Sequence, residues 1–204
     1  MTGKLGTVYG LSTPQAAADF YGDWAGTYED ELAQNGYVTP ARCAAALADA
    51  ASLPWAPLIE LGCGTGLGGL ALRAAGFECI DGVDISPEML EGAEAKDIYR
   101  TLGPADLSLP LDWMPDDTYQ NAAAIGVLNP NFMSAHLIDW VIEKLPSGGC
   151  FVFSLNDHAL ADGTMETRVL ELTEYGVADL VFREAGDHLP GIDLASTVYV
   201  LKKR

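Results

Sequence analysis

Two hydrophobic rhythms divide the chain. From about position 12 to 52 the apolar residues follow helical spacing. The stretch "PQAAADFYGDWAGTYEDELAQNG" is preceded by Ser12-Thr13, a natural N-cap, carries Pro14 in its first turn and ends at Gly36. A second helix is predicted from Thr39-Pro40 through the alanine-rich "ARCAAALADA". After the break at Pro54 and Pro57 the pattern changes to short apolar runs alternating with amphipathic stretches. "LIEL", "ECIDGVD", "IYRTLG", "NAAAIGVL" and "CFVFSLN" read as five strands. "GLGGLALRAAG", the segment begun by Ser86-Pro87-Glu88, and "HLIDWVIEKL" read as the helices between them. A helix near 164–175 and two closing strands, "ADLVFREAG" and "STVYVLKKR", complete the series. Strands alternating with helices predict an α/β fold, a largely parallel sheet with helices on both faces. The division expected is an N-terminal helical cap over residues 1–54 and a sheet-bearing core over 55–204.

Composition narrows the classes. A chain of 204 residues, 49% of them apolar, fits one large domain with a buried core. It contains no run long enough for a transmembrane helix, and "MTGKLGTVYGLSTPQ" lacks the apolar segment of a signal peptide, so a cytoplasmic protein without a membrane partner is expected. Cys43, Cys63, Cys79 and Cys150 show no metal-ligand spacing and sit in apolar surroundings; reduced thiols and no metal site are expected. Eleven Lys and Arg against 29 Asp and Glu give a net charge of −18, and basic residues cluster only at Lys202-Lys203-Arg204. With no positive face for a phosphate backbone, nucleic acid is a poor partner. Attraction of a cationic ligand is a secondary reading of the same charge.

The first strand runs directly into glycines, and two registers are available. Gly64-Thr65-Gly66-Leu67-Gly68-Gly69 is a literal dinucleotide fingerprint, with Asp84 placed 20 residues beyond Gly64 as a ribose-binding acid. Alternatively "ELGCGTG", Glu60 to Gly66, is an acid followed by GxGxG. Glu60 sits inside the strand, where a nicotinamide enzyme would place an apolar residue, and a cationic sulfonium with an amino-acid tail gives that acid a partner. The turn lies behind a helical cap, well into the chain. The one Tyr-x-x-x-Lys, Tyr199 to Lys203, is on a terminal strand, where that spacing does not bring the two side chains together on a helical face.

The series "LIELGCGTGLGGLALRAAG…GVDISPEML…GPADLSLPL…GVLNPNF…LPSGGCFVFSL" resembles class I S-adenosylmethionine-dependent methyltransferases over about residues 55 to 204. "FYGDWAGTYEDEL" is similar to the aromatic N-terminal segment of small-molecule members, among them the Williams–Beuren-region methyltransferase-like and ubiquinone-biosynthesis C-methyltransferase proteins, with Gly22 and Glu29 in place of two acids. The resemblance implies a Rossmann-like sheet of seven strands with the last antiparallel, S-adenosylmethionine as cofactor and S-adenosylhomocysteine as product. It also implies roles by position. Gly62, Gly64 and Gly66 would pass under the cofactor, and Glu60 would support the turn or the methionine amino group. Asp84 would take the ribose hydroxyls, Ile85 and Met89 the adenine faces, and Asp106 the adenine amine beside Leu107. Tyr21, Trp24 and Tyr28 would close the site.

Asn129-Pro130-Asn131-Phe132 differs by one residue from the Asn-Pro-Pro-Phe with which amino-group methyltransferases of DNA and protein hold their target nitrogen. Asn131 in place of proline restores backbone freedom, and Asn121, at the strand-four acid's place, lies eight residues before Asn129, too far for the usual short strand. The loop therefore reads as a substrate-contact segment of a small-molecule enzyme, beyond a strand end where α/β folds bind ligands. Asn129, Asn131, Asn156 and His188 are candidate substrate contacts, and His158, just past strand five, is the candidate general base if the acceptor keeps its proton at neutral pH. His188 is expected in a turn after strand six. Two further readings stand beside the small-molecule methyltransferase: an NAD(P)-dependent oxidoreductase using the GTGLGG register, and a non-catalytic protein that binds the cofactor or its product. The acceptor atom and the oligomeric state are not encoded in any motif.

Overall fold

The computed structural model describes residues 4–7, 10–11, 13–131 and 133–204. Helix α1 spans Pro14–Gln34 and α2 spans Thr39–Ala50. The sheet region then follows in the order β1 (Leu58–Leu61), α3 (Leu67–Ala74), β2 (Ile80–Asp84), α4 (Pro87–Glu94), β3 (Thr101–Pro104), β4 (Asn121–Ala124), α5 (His136–Lys144), β5 (Cys150–Asn156), α6 (Asp157–Leu160), α7 (Thr164–Glu174), β6 (Ala178–Leu189) and β7 (Leu194–Lys203). The seven strands form one sheet in the order β3-β2-β1-β4-β5-β7-β6. β1 to β5 are parallel, and β7 is antiparallel to both its neighbours. This is the Rossmann-like sheet expected from the sequence. Ser12 and Phe132, named above as part of a cap and of the NPNF loop, lie outside the described residues.

Period-two alternation sorts the strand residues between two cores. Ile59, Ala122, Phe151, Phe153 and Tyr199 face one side, where α5 and α7 cover them with Leu137, Val141 and Val169. Leu58, Ile80, Ala123, Val152 and Val200 face the other, under Leu72 of α3 and Cys43, Ala44 and Leu47 of α2. Both faces of the central strands are buried, so these strands read as continuous apolar runs.

Helix α2 therefore belongs to the sheet's covering layer, although the sequence groups it with α1 as a cap. Its alanines let it lie close on the strands, and Leu47 is fully buried. Only α1 extends over the strand ends. Thr39 opens α2 and Pro40 occupies its first turn, while Thr13 caps α1, its Oγ1 accepting from the Ala16 N–H at 3.2 Å.

Among the boundaries that differ from the sequence reading, two bear on the site. β4 ends at Ala124, not at Leu128, because the chain turns at Gly126 with φ +71°. β6 continues to Leu189, so His188 is a strand residue and is buried. A polar "GDHLPG" string looks like a turn, but its histidine is paired inside the protein. If α2 is core rather than cap, Leu47→Ala costs about 2–5 kcal/mol in urea unfolding; a cost below about 1 kcal/mol would make α2 peripheral.

Candidate functional site

The first sheet strand carries an acid into its own core. Glu60 is 1% exposed, and its Oε2 accepts from the Tyr99 hydroxyl at 2.6 Å. Its other oxygen lies over the Cα of Gly68, in the space a Cβ would occupy, so the glycine of α3 is what lets strand and helix close over the carboxylate. Burial pushes the Glu60 carboxyl up to about 8, with the Tyr99 hydroxyl opposing the shift and Asp84 adding to it.

Above Glu60 the turn is held from β2. The Gly64 N–H donates to Asp84 Oδ2 at 2.8 Å, and the Ser86 N–H donates to Oδ1 at 3.0 Å. Asp84 is raised above the usual carboxylate range by burial, against the pull of these N–H groups and that of Ile85. Gly62 adopts φ +68°, and a Cβ there would meet Val127 Cγ2 at 2.5 Å, so the turn and the loop after β4 touch through a glycine. The sheet order reverses between β1 and β4, which makes this the crevice where open α/β sheets bind ligands.

A cleft of about 700 Å³ occupies that crevice. Gly62, Gly64, Asp84, Ile85, Met89, Asp106 and Leu107 line it from below, and Tyr21 and Tyr28 of α1 line it from above. Thus nine of the expected cofactor residues converge on one cavity. Three do not line it. Glu60 is sealed beneath the turn, and Gly66 starts α3 with Lys96 and Tyr99 packed against it. Trp24, 1% exposed, donates its indole N–H to Glu31 Oε1 at 2.9 Å and faces a second cavity. In Asp106, Oδ1 is occupied by the Ser108 N–H and hydroxyl at 2.9 and 2.6 Å.

The second cavity, about 570 Å³, adjoins the first and shares Tyr21, Tyr28, Gly126 and Val127 with it. Its outer wall is Asn129 from the loop after β4, Asn156 and His158 after β5, and His188 of β6. Asn156 also caps α6, accepting from the Ala159 N–H at 3.0 Å, and Asn129 accepts from the Asn131 N–H at 3.0 Å. Asn131 itself is exposed and lines neither cavity.

Helix α1 roofs both cavities, accepts from Lys4 Nζ at its Asp23 carbonyl at 2.5 Å, and is tied by Lys96 to the glycine turn and α4. Lys96 Nζ donates to Glu29 Oε1 at 2.5 Å, to the Thr65 carbonyl at 2.6 Å and to the Gly92 carbonyl at 3.2 Å. Gly22, further along α1, sits against the Glu88 carboxylate of α4.

Sequence reading missed Tyr37, whose hydroxyl lies 2.5 Å from where a Gly126 Cβ would stand, and which forms the chamber floor beside His188. The available signal was Gly126 itself, a glycine inside an apolar run, which marks a close backbone approach. Lys96 and Tyr99 had no signal, since their partners are 67 and 39 residues away.

The chain shares its fold with solved S-adenosylmethionine-dependent methyltransferases. No family model matches it. Among curated proteins it is 30% identical over 149 residues to human Methyltransferase-like protein 27, covering 71% of this chain and 60% of that relative's length. The likeness to solved structures is one of fold. A possible histamine N-methyltransferase from Thermotoga maritima has a TM-score of 0.64 at 15% identity, covering 90% of this chain and 98% of that one. Magnesium protoporphyrin IX methyltransferase from Synechocystis, with bound S-adenosylhomocysteine, has a TM-score of 0.61 at 15% identity, covering 81% and 82%.

The raised Glu60 carboxyl makes stability depend on pH with a definite sign. The folded chain keeps a proton that the unfolded chain releases above its ordinary value of 4.5, so Glu60's contribution is full below that value and is lost as pH rises through about 8. Urea midpoints of the ligand-free protein should fall between about pH 5 and pH 8 by more than those of Glu60→Gln. Parallel profiles for the two proteins would contradict a protonated Glu60.

Proposed function

We propose that the protein is an S-adenosylmethionine-dependent methyltransferase acting on a small-molecule acceptor. The observation that carries this reading is the charge of the cleft at the switch point. Its lining holds two carboxylates, Asp84 and Asp106, and no lysine or arginine. The nearest lysine of the roof, Lys96, is spent on Glu29 and two carbonyls. Such a cleft suits a ligand with a sulfonium, an ammonium and an uncharged nucleoside. The Gly64 N–H of the turn, which a dinucleotide's pyrophosphate would need, is already taken by Asp84, and the oxidoreductase reading finds no support.

The residues fit the cofactor in kind. Asp84 closes β2 with a carboxylate at the ribose position, Ile85, Met89 and Leu107 give apolar faces to an adenine, and Asp106 supplies an acceptor for its amine. When bound, the cofactor supplies an electrophilic methyl carbon. The chain's own part is to align the acceptor with that carbon, in line, and to exclude water. Tyr21, Tyr28, Gly126 and Val127 stand at the junction of cleft and chamber, where the transfer would occur. The roof of α1, held by Lys96, covers both cavities. His158 lines the chamber at the end of β5 and is the base for an acceptor that keeps its proton. His188 is unsuited to that task, because burial and Arg42 depress its pKa to about 4. The small chamber and the acidic surface fit a small molecule and not a nucleic acid.

Calorimetric titration with S-adenosylmethionine, S-adenosylhomocysteine and NADH in parallel tests the reading. The expected result is micromolar binding of the two sulfur ligands and none of NADH; NADH binding alone would overturn it. Asp84→Asn should weaken the sulfur ligands by about tenfold or more, through loss of charge-assisted hydrogen bonds. His158→Ala should keep cofactor affinity and lower turnover by about 10²-fold; unchanged turnover removes His158 from the chemistry.

A further inference from the structure

Behind His188, on the side away from the chamber, lies a chain of hydrogen bonds that the proposed transfer does not use. Arg42 Nη1 donates to Ser196 Oγ at 3.1 Å, Ser196 Oγ lies 3.1 Å from Thr39 Oγ1, and Thr39 Oγ1 lies 2.8 Å from His188 Nδ1. Arg42 is further anchored on the carbonyls of Asp187 and Glu184, at 2.8 and 2.9 Å. Thr39, Ser196 and His188 are all buried, and the imidazole is set edge-on to Tyr37 with ring centroids 5.2 Å apart.

The direction of this chain follows from the proton count. A guanidinium only donates, so Ser196 Oγ accepts from Arg42. If Ser196 then donates to Thr39, and Thr39 to His188 Nδ1, every hydroxyl proton has an acceptor. If instead His188 donates from Nδ1 to Thr39, a buried proton is stranded. Thr39 must pass its own to Ser196, whose proton then has no acceptor among the described residues, or must keep it with no acceptor at all. Stranded donors in a dry interior are disfavoured. The imidazole is neutral near pH 7, because burial holds its pKa low, so it has one tautomer to choose.

The chamber that the ring lines carries aromatic and aliphatic walls, amides and imidazoles, and no Asp, Glu, Lys or Arg. An acceptor bearing a carboxylate, a phosphate or an ammonium would enter without a counter-charge. We propose that Arg42, Ser196 and Thr39 hold His188 as its Nε2–H tautomer, so that the chamber offers a fixed N–H donor to an oxygen of an uncharged acceptor. Its use by an acceptor rests on the methyltransferase reading; the tautomer does not. His188 is then a specificity residue, and Thr39, Ser196 and Arg42 are positioning residues acting through it.

Long-range 1H–15N correlation spectra of the uniformly labelled protein, with and without S-adenosylhomocysteine, read the tautomer directly. His188→Gln assigns its signals among the chain's 3 histidines. Near neutral pH the expected pattern is a protonated Nε2 and a bare Nδ1, and Thr39→Val or Ser196→Ala should admit a population with the proton on Nδ1. A wild-type ring protonated at Nδ1 overturns the proposal without any variant. Benzamide, benzoate and benzylamine then probe the chamber of the S-adenosylhomocysteine-loaded protein. Benzamide should move the His188 Nε2 signal, with the two charged probes at least about tenfold weaker. Tighter binding of either charged probe, or a Nε2 signal unmoved by benzamide up to its solubility, overturns the acceptor class. Failure to bind S-adenosylhomocysteine, with the Nε2–H pattern intact, would count against the methyltransferase reading alone.

Discussion

The structure hangs on the turn between β1 and α3. A strand buried on both faces ends in a backbone that must reverse within a few residues and leave its N–H groups facing a ligand. Asp84 accepts one of those N–H groups from the neighbouring strand, and Glu60 fills the space beneath. Neither acid is cheap to bury, and both are raised by desolvation. A cation above the turn would lower the cost of burying the Asp84 carboxylate, beneath which Glu60 keeps its proton, so the fold's least comfortable feature and the proposed ligand are matched.

The second constraint is the roof. α1 rests over the strand ends and not on the sheet, so its burial comes mainly from its own aromatic row and its contacts with α4. Trp24 packs with Phe20, Tyr21 and Tyr28 at centroid distances of 5.6, 6.0 and 4.9 Å. The Glu29–Lys96 pair then fixes one end of that row to the helix behind the cleft. Lys96 is only partly exposed and satisfies two carbonyls as well, which sets it apart from the surface ion pairs that contribute little. The same helix face closes the cofactor cleft and the acceptor chamber, so access to both is governed by one element.

Much of this was readable from sequence because local signals agreed with the global fold. The acid-glycine turn and Asp84 at a strand end follow from strand pattern and spacing, Asp106 from the family resemblance, and the structure gathers all but the sealed Glu60 and the helix-starting Gly66 around one cavity. The errors have physical causes. The apolar stripe of α2, with Cys43, Ala44 and Leu47, was readable, but nothing local says that it faces the sheet and not the strand ends. His188 sits in a string of turn formers, and only its pairing with Thr39, 149 residues away, makes it a buried strand residue. Tyr37, Lys96 and the Arg42–Ser196–Thr39 chain depend on long-range partners, which no local pattern encodes.

The most direct measurement is a crystal structure of the protein grown with S-adenosylhomocysteine. The ribose hydroxyls should lie on Asp84, the adenine between Ile85, Met89 and Leu107 with its amine at Asp106, and the sulfur at the junction formed by Tyr21, Tyr28, Gly126 and Val127, facing the chamber. Density for the ligand elsewhere, or a sulfur turned away from His158 and His188, would contradict a methyl transfer built on these two cavities.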